Sequence, residues 1–434
     1  MAALGGQLPE TGSDAVDTIR ALARDADSGV VASAGPRYFG FVTGGALPVT
    51  GAADWLTSAW DKNGGLYVMS PAVAVLEDIV SDWLLELLEL PRDASVGFVT
   101  GAHTANFTCL AAARHEVLRR VGWNVEEEGL QRAPKLTVFV GGDVHISVIG
   151  ALRMLGVGTR EVVRIPADGQ GSMSSGALVR AMSSVEGPIV VCAQVGNVSS
   201  GASDPMKEIV AASHERGAWV HVDGAFGLWA SAVPELRDQV NGVADADSWA
   251  TDGHKWLNVP YDSGLAIVRN PAPHRAAMSL HASYLQRGGD VERSGMDWVP
   301  DSSRRGRVIP LYAAIRSLGR SGIPDIVRRH CALARRMASK LSSTPGVSIR
   351  NDVVLNQVLV RFGDDDRMTR DVIARVQADG TCWAGGATWK NTHVMRISIS
   401  NWSTSESDID RSAEAILKAF SSAQGAAAPD GTRA

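Results

Sequence analysis

The chain has 434 residues, 45% of them hydrophobic, and a formal net charge of −5. That length buries more than one core, so two domains are expected, while an acidic balance with both signs interspersed excludes the basic footprint of a nucleic-acid-binding protein. No run approaches the ~18 apolar residues that span a bilayer, and Met1-Ala2-Ala3-Leu4-Gly5-Gly6 lacks the basic and apolar regions of an export signal, so a cytoplasmic protein without membrane contact is expected.

In chain order, residues 1–34 are polar and Ala-rich, with a short helix expected near Ala15–Asp25. A Gly/Pro-marked loop, Gly35–Gly51, follows. Ser70-Pro71 reads as a helix start, with Ser as N-cap and Pro at the first helical position. Val73, Leu76, Val80, Trp83, Leu84 and Leu87 then recur at helical spacing, and Pro91 ends the pattern. From about residue 96 short β-branched runs alternate with helical stretches. Val96–Val99, Leu136–Val140, Ile189–Ala193, Trp219–Val222 and Leu265–Val268 read as buried strands, and Ala105–Val121, Ile146–Leu155 and Pro205–Arg216 as helices, the last capped by Asp204. That alternation predicts an α/β fold with a mostly parallel sheet.

A long helical region spans Pro310–Leu341. Val354–Arg361, Thr369–Gln377, Val394–Ser400 and Glu406–Ala419 then read strand, helix, strand, helix, the pattern of a smaller α+β domain. The expected division is an N-terminal arm over 1–60, a large domain over 61–310, a small one over 311–424 and a disordered tail over 425–434. Cys109, Cys192, Cys331 and Cys382 are far apart and form no Cys-x-x-Cys pair, the pattern of buried free thiols rather than of a zinc site or disulfide framework. Trp55, Trp60, Trp83 and Trp389 read as core aromatics before they read as a substrate pocket.

Four pieces carry chemistry. Thr100-Gly101-Ala102-His103-Thr104-Ala105-Asn106 follows a strand and opens a helix, where small residues let backbone N–H groups approach an anion. His145 stands just past the strand Leu136–Val140. Trp219-Val220-His221-Val222-Asp223-Gly224-Ala225 is a buried strand ending in a carboxylate, at the end where parallel sheets bind ligands. Trp249-Ala250-Thr251-Asp252-Gly253-His254-Lys255-Trp256 supplies a lysine. Phosphate turn, histidine, aspartate and lysine, in that order, are what an aldehyde cofactor with a phosphate and a pyridine nitrogen needs. An amine forms the imine, a carboxylate keeps the ring nitrogen protonated, a helix start holds the phosphate and a flat side chain covers the ring.

Together with Ser70-Pro71-Ala72, Leu76-Glu77, His254-Lys255-Trp256 and Ser303-Arg304-Arg305, these motifs resemble the group II pyridoxal 5′-phosphate (PLP) dependent amino-acid decarboxylases. The resemblance runs from about Gly35 to Asn401 and implies the type I fold of the aspartate aminotransferases: a mostly parallel seven-stranded sheet with a smaller C-terminal α+β domain. It implies that Lys255 is the Schiff-base lysine, that Asp223 pairs with the pyridine nitrogen, that Ala225 packs on one ring face and that His145 stacks on the other near the substrate carboxylate. Gly101, Ala102, His103, Asn197, Asp252, His254 and Ser303 are implied around the cofactor, with His103 where the family often has Ser and Asp252 where some members have Asn. The family's homodimers share their sites, so Phe41, Thr43, Asn63 and Gly65 would line the partner's pocket, and Arg396 would lie near substrate.

The implied reaction is decarboxylation of a small-molecule L-amino acid to an amine and CO₂. One departure opens an alternative. The family's mobile loop carries a tyrosine that protonates the carbon left by CO₂, and aligning Trp298 and Arg304-Arg305 puts Gly295 there, in the segment Gln286–Asp301. Either His145 or water supplies the proton, or the reaction ends as oxidative deamination to an aldehyde or as another carbon–carbon lyase reaction. A PLP-binding transcription regulator would need a DNA-binding module, for which residues 1–34 are too short.

Overall fold

The computed structural model describes residues 4–280 and 292–427. A first group of helices, α1 (Ala15–Ala26), α2 (Pro48–Trp60) and α3 (Pro71–Leu87), precedes the first strand, β1 (Ser95–Val99). Asp14 caps α1 by accepting the N–H groups of Val16 and Asp17, and Ser70 occupies the N-cap of α3 with Pro71 at its first position. Then come α4 (Ala102–Arg119), α5 (Val125–Glu128), β2 (Thr137–Gly141), α6 (Ile146–Met154), β3 (Val162–Ile165), α7 (Ser175–Ser183), β4 (Ile189–Gln194), α8 (Met206–Glu215), β5 (Trp219–Asp223), β6 (Ser248–Asp252), β7 (Gly264–Val268) and α9 (Pro271–Met278). The C-terminal part holds α10 (Val308–Ser342), β8 (Val347–Ile349), β9 (Gln357–Phe362), α11 (Asp366–Asp379), β10 (Gly385–Trp389), β11 (Thr392–Ser398) and α12 (Glu406–Ala427).

Two sheets organise the chain. The larger has seven strands in the order β1-β7-β6-β5-β4-β2-β3. β3, β2, β4, β5 and β6 run parallel, and β7 runs against both of its neighbours. β1, β4, β5 and β7 are buried on both faces, which is why they read as continuous apolar runs rather than as alternating patterns, whereas the edge strand β3 is only partly buried. The smaller sheet, β10-β11-β9-β8, is antiparallel and packs against α10, α11 and α12 around Leu341, Val360, Ile397 and Phe420. This is the α/β architecture expected from the sequence, a mostly parallel sheet joined to a smaller α+β unit.

Several local expectations are corrected. β3, β6, β8, β10 and α7 carry no strong apolar run and were not foreseen. Asp204 does not cap α8, whose N-cap is Pro205; its carboxylate instead accepts the N–H groups of Met173 and Gln194, each at 2.7 Å. α10 is longer than the expected helix and is kinked where Gly319 takes a positive φ, ahead of Pro324. α12 continues through Ala427, so the C-terminal segment is ordered beyond residue 425, and 428–434 lie outside the described residues. Trp55 and Trp60 are exposed, against the core assignment, whereas Trp389 is buried and Trp83 stacks on Tyr312. All four cysteines are buried free thiols. Among the described residues no helix is long and apolar enough to cross a membrane.

Candidate active site

The carboxyl ends of β1, β2, β4, β5 and β6 open on one crevice, as parallel sheets dictate. Ala102, three residues past the end of β1, starts α4, the segment past β2 carries His145, and Asp223 and Asp252 end their strands. Lys255 follows three residues after Asp252, its Nζ 2.9 Å from Asp252 Oδ2. The other oxygen of Asp252 accepts the Ala102 N–H at 2.6 Å and lies 3.5 Å from His254 Nε2. His254 Nδ1 accepts the Ser263 N–H, so the imidazole proton sits on Nε2, facing that carboxylate. Burial holds His254 below its ordinary pKa.

Asp223 is 4% exposed. Its Oδ2 accepts from Asn106 Nδ2 at 3.3 Å and its Oδ1 accepts the Ala225 N–H at 3.2 Å. Both donors are neutral, and among the described residues Asp223 forms no ion pair. A buried carboxylate so placed needs a positive charge from elsewhere. His145 is the N-cap of α6, with Nδ1 2.7 Å from Ser147 Oγ and 3.3 Å from the Ser147 N–H. Burial pushes its pKa down; Asp223 opposes that and Lys255 and Arg396 reinforce it. Arg396, on β11, reaches the Val198 carbonyl through Nη1 at 3.3 Å and makes no ion pair among the described residues.

Gly101, Ala102, His103, His145, Asp223, Ala225, Asp252, His254 and Lys255 line one cavity of about 440 Å³, a size that suits a cofactor with a small substrate. Seven other residues named from the sequence, Arg396 among them, are not among those that line it within this chain. Asn197 is 1% exposed and spends its Oδ1 on the N–H groups of Ser199 and Ser200. Asn63 accepts from the N–H groups of Gly65 and Arg304, and Gly65 packs under the Ser302 carbonyl. Phe41 is 65% exposed and stacks on Trp383, Thr43 is buried beside it, and Ser303 faces outward. Gln194, Phe226 and Ser147 also line the cavity without having been foreseen, and Asn106 stands behind its functional groups. Ser147 was visible as the residue two past a histidine cap. Asn106 sits on a helix whose polar and apolar residues show no sharp division, so periodicity gave no signal.

Gly295 is not an open loop position. It is buried, and a β-carbon built there would overlap the Arg304 guanidinium and the Gly64 carbonyl. Arg304 and Arg293 both pair with Glu77, which is fully buried. Of the segment Gln286–Asp301, residues 286–291 fall outside the described residues, as does Tyr284.

The residues present fit PLP. The uncompensated Asp223 suits a protonated pyridine nitrogen, Lys255 is a partly buried primary amine in the same cavity, and the His103 and Thr104 N–H groups at the start of α4 find no acceptor among the described residues. Among the described residues no cluster of His, Cys, Asp and Glu suits a metal ion.

Comparison with known proteins agrees with this geometry. Residues 3–362 match the family model described as the pyridoxal-dependent decarboxylase conserved domain. An aromatic-L-amino-acid decarboxylase from Sus scrofa is 28% identical over 415 residues, 90% of this chain and 84% of that protein. A phenylacetaldehyde synthase from a Rosa hybrid cultivar is 26% identical over 403 residues, 86% and 78% of the two chains. Among solved structures, the Oryza sativa protein described as TDC with PLP and tryptamine superposes with a TM-score of 0.88 at 23% identity, over 97% of this chain and 91% of that one, which shows the shared fold. With the family matched over most of its length and a lysine, an unpaired carboxylate and a helix start converging on one cavity, the chain belongs to the pyridoxal-dependent decarboxylases and is a PLP-dependent carboxy-lyase.

Proposed function

We propose that the chain releases CO₂ from an L-amino acid and returns the amine, with Lys255, Asp223, His145 and Arg396 as the residues that handle cofactor and substrate. The single observation that carries the residue assignment is the unpaired carboxylate of Asp223 in the cavity that also holds Lys255. When bound, PLP supplies an electron sink for the pair left on the α-carbon. The chain's own residues do the rest. Lys255 provides the amine that holds the aldehyde and is exchanged for the substrate amine. Asp223 keeps the ring nitrogen charged. The guanidinium of Arg396, without an ion-pair partner of its own among the described residues, receives the substrate carboxylate together with His145. Phe226 and Val198 keep that side of the cavity apolar.

Loss of CO₂ and gain of one proton at the α-carbon balance the amine-forming reaction. No tyrosine is among the described residues lining the cavity, which favours keeping a second outcome in view. In it, amino acid, O₂ and water give aldehyde, CO₂, ammonia and hydrogen peroxide. PLP-loaded protein incubated in air with a panel of L-amino acids separates the two. CO₂ with equimolar amine is expected; CO₂ with aldehyde and peroxide supports the second outcome, and no CO₂ from any member contradicts both.

The site is proposed to be completed in a homodimer. Phe41, Trp55, Trp60, Val68 and Met69 expose apolar surface along residues 41–69, the stretch that also holds Thr43, Asn63 and Gly65. In the dimer Phe41, Thr43, Asn63 and Gly65 would line the partner's cavity, with Ser303 near its phosphate. Sedimentation at micromolar concentration is expected to give twice the 45.8 kDa chain mass, and a monomer contradicts the shared site.

A further inference from the structure

A hydrogen-bond chain runs along the cavity wall from Asp223 through Asn106 and Ser147 to His145, and the direction of every link in it can be assigned. Asn106, on α4, is fully buried. Its Nδ2 lies 3.3 Å from Asp223 Oδ2 and 3.1 Å from Ser147 Oγ, and its Oδ1 lies 2.8 Å from His221 Nε2. A carboxylate can only accept, so the amide NH₂ faces Asp223 and the amide oxygen faces His221. His221 must then carry its proton on Nε2 and accept at Nδ1, where Ser248 Oγ lies at 2.9 Å. Ser248 is free to donate there because its oxygen already accepts from Trp219 Nε1, a group that only donates. Burial pushes His221 down to about 3, so it stays neutral and keeps that orientation.

The other end follows by the same logic. Ser147 Oγ accepts from Asn106, which leaves its hydroxyl proton for His145 Nδ1 at 2.7 Å. The Ser147 N–H also points at that nitrogen, as α6 requires of its N-cap. Two donors meet at Nδ1, so it is the unprotonated nitrogen. The proton of neutral His145 is on Nε2, which has no hydrogen-bond partner among the described residues, and the ring borders the cavity.

We propose that Asn106 and Ser147 are positioning residues that fix His145 in the Nε2–H tautomer, so that it meets the substrate carboxylate as a hydrogen-bond donor, and that they tie this setting to the orientation of Asp223. The reverse tautomer would turn an Nε2 lone pair towards the carboxylate and repel it. One buried amide therefore holds two functional groups in register, the partner of the ring nitrogen and the donor to the departing carboxylate. The same arrangement assigns neutral His145 to carboxylate recognition rather than to proton supply, because a neutral imidazole is a weak acid.

The proposal's kinetic arm rests on the decarboxylase reading; its tautomer arm does not. Selectively ¹⁵N-histidine-labelled protein without PLP is examined by long-range ¹H–¹⁵N correlation, the His145 signals being identified by their loss in His145→Gln. The expected wild-type spectrum shows His145 protonated on Nε2, and Ser147→Ala, which leaves only the backbone N–H at Nδ1, and Asn106→Ala each admit a fraction of the Nδ1-protonated form. Ser147→Thr, which keeps the hydroxyl, restores the single form. In the loaded enzyme Ser147→Ala is expected to raise KM about tenfold with a smaller loss of PLP affinity than Asn106→Ala, because Ser147 lines the cavity without touching Asp223, whereas Asn106 bonds Asp223 directly. A wild-type His145 protonated on Nδ1, or Ser147→Ala and Asn106→Ala spectra identical to wild type, overturns the proposal whatever the reaction proves to be. Absence of CO₂ release from the wild type with the expected tautomer present overturns the decarboxylase reading instead.

Discussion

Asp252 shows how one side chain can serve two neighbours. Its carboxylate joins the Ala102 N–H, at the start of α4, to Lys255, and it is 1% exposed. It therefore occupies part of the anion site that the Gly101-Ala102-His103 turn presents. A bound phosphate must share that region with a like charge, which disfavours the phosphate and spares the rest of the cofactor. Asp252→Asn keeps the shape and removes the charge. PLP affinity measured against that of pyridoxal, which lacks the phosphate, is expected to rise roughly tenfold, about 1.4 kcal/mol. An unchanged ratio would mean that Asp252 moves clear of the phosphate on binding. At this scale the sequence was informative where chemistry is local to a motif. Asp223 and His145 were placed because each ends or follows an apolar strand, and Lys255 from the motif Thr251-Asp252-Gly253-His254-Lys255-Trp256 that follows Asp223 in the chain; the structure puts all three on one cavity. Asn106 escaped because its importance lies in partners distant in the chain, Asp223 and His221, and Ser147 because a serine beside a helix N-cap is too common to single out.

At the scale of elements, the segment before α10 hangs on a buried charge cluster. Arg304 bonds Glu77, the Gly64 carbonyl and the Phe98 carbonyl, and Arg293 pairs with Glu77 while its guanidinium lies over Phe98 and Trp298. Burial pushes the Glu77 carboxyl up, and the two arginines outweigh it, so the net displacement is downward. Removing one partner strands the others in a dry site. Glu77→Ala is expected to cost roughly 3–5 kcal/mol of unfolding free energy by denaturant titration, and a loss below 1 kcal/mol would show that solvent reaches the cluster. The cluster also corrects the role first given to Gly295. The frame of Trp298 and the arginine pair gives no sight of packing, and position 295 lies against Arg304 with no space for a side chain. A tyrosine introduced there would break the cluster before it could reach a substrate. Five of the seven strands of the larger sheet, β1, β2, β4, β5 and β7, were legible through their apolar runs, and the start of α3 through its Ser-Pro cap. The reversal of β7 was not, because a buried strand has the same composition in either direction.

For the whole molecule, acid sensitivity follows from three buried neutral histidines. His221, His274 and His330 are each pushed down to about 3 by burial. His274 bonds Ser95 and the Trp298 carbonyl, and His330 joins the Trp256 indole to the Asn401 carbonyl, so both ring nitrogens are used at each site. A folded value below the ordinary 6.5 means that the unfolded chain binds the proton first. The stabilisation is complete above 6.5 and is lost progressively as pH falls from 6.5 towards 3. Asp204, pushed up to about 7 by burial, works in the opposite sense between 7 and 3.8. His330→Gln is expected to flatten the dependence of unfolding free energy on pH below 6 by about 1.4 kcal/mol per pH unit; an unchanged slope would show that His330 is charged in the native protein. The two-sheet architecture was legible at this scale because length, apolar fraction and the order of strands and helices constrain it together.

The central claim is that Lys255 and Asp223 share one cavity in which PLP drives loss of an amino-acid carboxylate. The most direct test is release of labelled CO₂ from carboxyl-labelled L-amino acids by PLP-loaded wild type, Asp223→Asn and Lys255→Ala. Release by the wild type, a fall of roughly 10²–10³ for Asp223→Asn, and loss of both release and the visible imine band in Lys255→Ala are expected. Label released at the wild-type rate by Lys255→Ala would contradict the account.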